Sequence, residues 1–230
     1  MTNQTKGIVG SVLAPACRAW LRSQVSQVDS LQVDIQGRSR QILGGTIPRV
    51  AVVAVGEIYQ GLSLGAIDLI AENIRINLPQ VLKGQSLRLL EPIAVIAGVK
   101  FSEADLQASL TAPLLSQAIT DLFTQILAVN PHQTNWLIDW HQLALAPHTL
   151  MLQGNLTLDG QIAPIEISMG LAVRDGHLLD LDPLTITCSI DLPGSKINSY
   201  QIDLGNDVNI TQLQLAAGEL LCQGRIQVNP

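Results

Sequence analysis

Ser11-Val12-Leu13-Ala14-Pro15 and Ser109-Leu110-Thr111-Ala112-Pro113 are the two stretches on which the reading of the fold turns. Counting on from each proline, Ala16 and Cys17 match Leu114 and Leu115, Leu21 matches Ile119, Val25 matches Phe123 and Val28 matches Ile126, always at an offset of 98. Proline suits a first helical turn, where its missing N–H has no partner to lose, so both prolines read as helix starts. Each helix is followed by a long run of strand-like sequence. One plan is therefore written twice within a single domain, 1–230: helix plus meander over 8–100, and again over 101–230. The expected class is α+β, a long curled antiparallel β-sheet wrapped as a meander around apolar helices. Such an arrangement makes apolar space, and apolar space in a chain without catalytic signatures points to a lipid or another greasy ligand.

Composition supports a folded, aliphatic protein. The 230 residues are 47% hydrophobic and only 14% charged, which excludes a largely disordered chain, while aromatic residues make up just 3%. Trp20, Trp136, Trp140, Tyr59, Tyr200, Phe101 and Phe123 are too scattered to form a stacking platform for bases or sugars. A net charge of −6 also speaks against nucleic acid as a partner, but the average hides an asymmetry. Residues 1–50 carry Lys6, Arg18, Arg22, Arg38, Arg40 and Arg49 against Asp29 and Asp34, a net of +4, leaving −10 on the other 180. A basic end on an acidic body orients a molecule against an anionic membrane, at about 1 kcal/mol per nearby Lys or Arg; the plainer reading is a solvated surface.

No segment has the ~18 consecutive apolar residues of a spanning helix. Leu13-Ala14-Pro15-Ala16-Cys17 has the outline of a lipoprotein cleavage box, but its proline fits poorly and the run continues helically through Arg18-Ala19-Trp20-Leu21-Arg22. The expected location is the cytoplasm or a membrane surface, with export as a lipoprotein the weaker reading. Cys17, Cys188 and Cys222 form no CxxC, so reduced, buried thiols are expected, and no metal or other cofactor is implied.

Along the chain, Leu31, Val33 and Ile35 alternate with polar residues as in a half-buried strand, whereas Val50 to Val55 reads as a strand covered on both faces. Gly61 to Leu78 reads as a strand pair or one bent strand, with a bulge at the Glu72-Asn73 break in alternation. Pro79 to Lys83 reads as one helical turn closed by Gly84. Ser102 is an N-cap, with Glu103 and Asp105 in the first turn, and the helix restarts at Pro113. Apolar pairs then recur every four residues from Leu114/Leu115 to Ile126/Leu127, a broad stripe that predicts an enclosed helix, ended by Asn130-Pro131. From Trp136 the sequence is again strand-like, with turn signals at Asp159-Gly160, Asp175-Gly176 and Pro193-Gly194.

Enzymatic signals are sparse. Asp139 and His141 lie two apart on a strand, as a base and its orienting carboxylate would, and Asp180 pairs similarly with Asp182. No G-x-S-x-G, HExxH or phosphate-binding glycine loop accompanies them. A non-enzymatic protein is expected.

The stretches Ala19-Trp20-Leu21-Arg22-Ser23-Gln24-Val25, Arg40-Gln41-Ile42-Leu43-Gly44-Gly45, Tyr59-Gln60-Gly61-Leu62, Glu72-Asn73-Ile74-Arg75-Ile76-Asn77-Leu78 and Phe101-Ser102-Glu103-Ala104-Asp105-Leu106 resemble the LmeA-like family, in particular its branch from photosynthetic bacteria. The resemblance covers nearly the whole chain, most strongly residues 15–127. It implies phospholipid binding, with a preference for anionic lipids in the actinobacterial branch, and a fold similar to the tubular (BPI-like) lipid-binding proteins. Members of that branch are exported lipoproteins, and this chain departs from them at its amino terminus. The family supplies no motif of ligand contacts to transfer by position.

The leading hypothesis is therefore a module that holds phospholipid or another acyl-chain lipid in an aliphatic groove at an anionic membrane surface. Candidate lining residues are Trp20, Leu21 and Val25 from the first helix and Leu110, Leu114, Ile119, Leu122 and Phe123 from the second. Arg38, Arg40, Lys83 and Arg88 lie near strand ends or turns and are candidates to meet a phosphate head group. The alternative is a scaffold with a filled core whose acidic face binds a protein partner of unknown identity. A basic first helix lying in a membrane interface is compatible with either.

Overall fold

The structure, a computed structural model, describes residues 22, 26–127, 136–192 and 196–230. Trp20, Leu21, Val25, the first Ala-Pro helix start, Asn130-Pro131 and Pro193-Gly194 lie outside them. Eleven named strands fall into two antiparallel sheets. The first comprises β1 (Ser30–Gln36), β2 (Thr46–Tyr59), β3 (Leu62–Arg75), β4 (Ile93–Ser102), β11 (Glu219–Val228) and β10 (Val208–Ala216), side by side in that order. The second is a pure meander of β5 (Trp136–Ala146), β6 (Thr149–Leu158), β7 (Gln161–Arg174), β8 (Leu178–Cys188) and β9 (Tyr200–Asp203). The α+β class and the antiparallel meander are thus as expected, but β10 and β11 leave the second half of the chain to complete the sheet begun by the first.

Four named helices accompany the strands: α1 (Ser39–Leu43), α2 (Leu78–Val81), α3 (Glu103–Ser109) and α4 (Pro113–Ile126). Ser102 caps α3 as expected, its hydroxyl accepting from Asp105 N at 3.1 Å while the Asp105 carboxylate takes the Ser102 N–H at 3.0 Å. Pro113 opens α4. The Asp159-Gly160 turn joins β6 to β7 with both residues at positive φ, the two-residue hairpin geometry that matches strand twist.

Three readings are corrected. β2 is not covered on both faces, because Val53 and Val55 are exposed while Val52 and Ala54 are buried. No residue is inserted at Glu72-Asn73, since Arg49 pairs Glu72 and Ile47 pairs Ile74 in unbroken register. Instead Asn73 adopts φ +53 opposite Pro48, and both strands switch their inward set there, from Val50 and Ala71 to Ile47 and Ile74. Asparagine tolerates that left-handed conformation, and proline has no N–H to lose at the break. Finally, α4 is perched, not enclosed. It buries Ile119, Phe123 and Ile126 and exposes Leu114, Gln117, Ala118 and Asp121.

Two apolar clusters result. The larger packs Leu106, Leu110, Ile119, Phe123, Ile126 and Leu127 against inward residues of the five-stranded sheet such as Trp140, Leu152, Ile167 and Leu184. The smaller gathers Val33, Ile42, Ile47, Val52, Ile74, Ile76 and Leu78 at the α1–α2 end of the six-stranded sheet. Helix α3 joins the two sheets. Its Glu103 and Gln107, one turn apart, accept the Leu145 and Leu143 N–H groups at 2.7 and 2.6 Å, and Gln107 donates to His141 O at 2.9 Å. Strand β5 is an edge of its sheet, so these side chains occupy hydrogen-bonding positions that a further strand would take.

Candidate functional site

Directly paired residues of neighbouring strands share a sheet face, so the register of the six-stranded sheet shows what each face carries. Leu31, Ala54, Ile67, Val99, Cys222 and Leu213 form one row across all six strands. Val33, Val52, Leu69, Ala97, Gly224 and Ile210 form the next, and Ile35, Val50, Ala71, Val95, Ile226 and Val208 the third. None of these eighteen positions is polar. The opposite face carries Asp34, Asp68, Lys100, Gln212 and Arg225 among its residues and is the solvent side.

The apolar face is not filled evenly. The smaller cluster occupies its β1–β3 half, and the larger one reaches only Phe101, Leu215 and Leu220 at the far end. Between them Ile67, Ala97, Val99, Ile210, Leu213, Cys222 and Ile226 belong to neither cluster as described, and Ile226 is 38% exposed. Neither described cluster packs against the middle of this apolar wall, although Ala54 and Val95 in its rows are buried and its other residues, Ile226 aside, are half-buried or better. Along β4 it runs from Ile93 to Phe101, about 27 Å at a strand's rise per residue.

Burial pushes the Cys222 thiol up from its ordinary pKa. Less thiolate is then present at any given pH, so maleimide labelling of Cys222 is expected to be slower than for a free thiol below the ordinary titration range and to accelerate as pH rises through the raised value. The same sign predicts that folded-state stability is unaffected by this group at neutral pH. It falls as alkaline pH ionises the unfolded thiol first. Peptide mapping of labelled protein over a pH series checks this, and labelling at the free-thiol rate would count against a half-buried Cys222.

At the Thr46–Arg75 end the face meets α1, α2 and the segment 85–91. Ile76 N donates to Gly45 O at 2.9 Å, Leu90 N to Arg75 O at 2.9 Å, and Asn77 Oδ1 accepts Arg88 N at 2.7 Å. These bonds bring Arg38, at the start of α1, and Arg40 within it to the same end as Lys83 and Arg88, and all four side chains are exposed. Two other cations nearby are paired, Arg49 with Glu72 at 3.2 Å and Arg75 with Glu91 at 3.0 Å. Among the described residues, no carboxylate pairs with Arg38, Arg40, Lys83 or Arg88. A recess of about 600 Å³ opens here between Asn77, Gln80, Gln85, Ser86, Leu89 and Leu90, with Arg88 its one charged wall residue.

The candidate lining residues of the second helix lie elsewhere. Leu110 is buried and Phe123 is 0% exposed in the larger cluster, Leu114 is 40% exposed, and Ile119 and Leu122 line a cleft of about 550 Å³ between α4 and β9. That cleft is rimmed by Asp121 and Asp203, with no cation in its wall. Ala112, between Leu110 and Leu114, sits against Gly61 at the β2–β3 turn, the opposite end of β3 from Arg75. The two ends are about 40 Å apart along the strand. One lipid, whose chains span a leaflet of about 15 Å, does not reach from Leu114 to Arg88.

The apolar wall was missed in sequence. Its signal, a shared parity across six strands, is readable only once the strand partners are known. Asp139 and His141 are both exposed with no hydrogen bond between them, and the β5–β6 register shifts between Trp140 and Gln142. Asp180 is held by Arg174 at 2.8 Å and Gln201 at 2.7 Å. Among the described residues no helix is long and apolar enough to cross a membrane, and no three His, Cys, Asp or Glu side chains are placed to hold a metal.

No curated protein and no solved structure is significantly similar to the chain. The family model described as LmeA-like phospholipid-binding matches residues 5–225, nearly the whole length, and the chain belongs to that family.

Proposed function

We propose that this protein binds a phospholipid without acting on it chemically, its acyl chains lying along the β3–β4–β11–β10 part of the apolar face and its phosphate at the Arg38, Arg40, Lys83 and Arg88 end. The observation that carries this reading is the continuity of three all-apolar rows with an end bearing four exposed cations that no described carboxylate pairs. Each buried methylene contributes about 0.8 kcal/mol, so an apolar wall some 27 Å long suits an acyl chain lying along it. Guanidinium groups suit phosphate oxygens, and three of them together with the Lys83 ammonium select an anionic head group over a neutral one. That β10 and β11 finish the sheet begun by β1–β4 supports reading residues 1–230 as one domain. The protein works at a membrane surface as a peripheral component.

The α4–β9 cleft supports a second reading for Ile119 and Leu122. Its volume suits one small apolar ligand, but Asp121 and Asp203 repel an anionic head group, so an uncharged or cationic amphiphile is its better occupant. A scaffold role follows if neither surface holds lipid.

Ala97→Trp tests the main reading. Ala97 is half-buried in the middle row, so an indole there fills the wall with apolar atoms and adds no polar group. Native mass spectrometry of the gently purified protein is expected to show stoichiometric phospholipid on the wild type and at least tenfold less on Ala97→Trp. A wild-type protein free of lipid, or a variant as fully loaded as the wild type, rejects this site.

A further inference from the structure

The basic end carries more than charge. Leu43, the last residue of α1, is 57% exposed; Leu82, just past α2, is 60% exposed; and Leu90 is 57% exposed. These are among the most exposed large apolar side chains described, and all three lie in the segments that hold Arg38, Arg40, Lys83 and Arg88. Within 37–48 and 73–92 the cations are Arg38, Arg40, Arg75, Lys83 and Arg88 against the single carboxylate Glu91, a net of +4 on a chain that carries −6 overall.

We propose that this end docks on an anionic lipid bilayer, with Leu43, Leu82 and Leu90 inserted among the lipid chains and the four free cations on the phosphates around them. Leucines ringed by Arg and Lys have the composition of an interfacial anchor, apolar where the acyl chains begin and basic at the head groups. The charge rules out a neutral surface as the preferred partner, since each Lys or Arg near an anionic leaflet strengthens binding about fivefold. The acidic remainder of the molecule is repelled by the same surface, which fixes the orientation. In that orientation β2, β3 and β4 run away from the membrane, and the apolar wall starts at the head-group plane, where a lipid enters tails first and leaves head first.

This docking rests on the lipid-binding reading for its purpose but not for its test. The experiment is flotation of the whole protein with vesicles of phosphatidylglycerol mixed with phosphatidylcholine, and with vesicles of phosphatidylcholine alone, at low and high salt. Two variants are compared, Leu43→Gln/Leu82→Gln/Leu90→Gln and Arg40→Gln/Lys83→Gln. All five positions are exposed, so thermal unfolding is expected to match the wild type. The wild type is expected to float with the anionic vesicles only and to be released by salt. The charge variant is expected to bind on the order of 25-fold more weakly, and the leucine variant to lose most of its binding. Docking at this end is overturned if the wild type does not float, as a basic patch meant for an acidic protein would behave, or if it floats and both variants float equally well. Native mass spectrometry of the same samples separates the two ideas, because the leucine variant is expected to keep any lipid already bound, whereas Ala97→Trp is expected to lose lipid and still float.

Discussion

Phe123→Ala is expected to lower the stability of the protein by about 3–5 kcal/mol. The side chain is 0% exposed and meets Trp140 with ring centroids 5.5 Å apart, tilted by 49°. Together with Ile119 and Ile126 it is a main anchor of α4 on the five-stranded sheet, so truncation removes the transfer free energy and leaves a cavity that the surrounding strands cannot close. Leu114→Ala, one helix face away and 40% exposed, is expected to cost under about 1 kcal/mol. Equilibrium urea unfolding reads both, as a shift of midpoint at constant slope. If the two variants lose similar amounts, Phe123 is not the anchor and the distinction between core and open helix face fails.

Removing both side chains that cover β5 is expected to do comparable damage by a different route. Glu103→Ala/Gln107→Ala leaves the N–H groups of Leu143 and Leu145, both buried residues, without their acceptors, at about 1–3 kcal/mol each. It also reopens a strand edge, and bare edges recruit other chains. The expected result is a lowered unfolding midpoint together with concentration-dependent light scattering. Glu103→Gln keeps a carbonyl acceptor for Leu145 N and is expected to behave almost as the wild type. A double-alanine protein that is stable and monodisperse means that water or a moved backbone satisfies the edge equally well.

Local chemistry was legible in the sequence because its partners are near in the chain. The Ser102 cap, the Pro113 start and the Asp159-Gly160 hairpin each depend on three or four residues and were found where the sequence put them. Long-range arrangement was not legible in the same way. Alternation in Val95–Val99 and Cys222–Ile226 announces two half-buried strands but says nothing of their pairing, and the apolar wall exists only through that pairing. The apolar run Val50 to Val55 misled because composition alone cannot distinguish two covered faces from one covered and one exposed. Likewise α4 read as enclosed because Leu114 and Ala118 are apolar although they face solvent. The four cations chosen as head-group ligands do share one end of the sheet, which follows from hairpin connectivity: α1 precedes β2 and α2 follows β3, so antiparallel pairing brings the two helices together.

The pairing of β11 with β4 also imposes an order on assembly. Residues 103–218 intervene between these strands, whereas the five-stranded sheet forms from neighbours in sequence alone. Contacts that close a long loop come late, because the chain entropy they cost is recovered only when the whole interface forms. During synthesis β1–β4 emerge early and wait, with one edge unpaired and one apolar face bare, until residues 208–228 arrive. The wall proposed to hold lipid is therefore among the last parts of the molecule to be finished. A lipid bound there would act as a clasp across β4 and β11, the paired strands most widely separated in the chain, so the loaded protein is expected to hold β10 and β11 in place far longer than the empty one, a difference that amide hydrogen exchange along residues 208–228 would record.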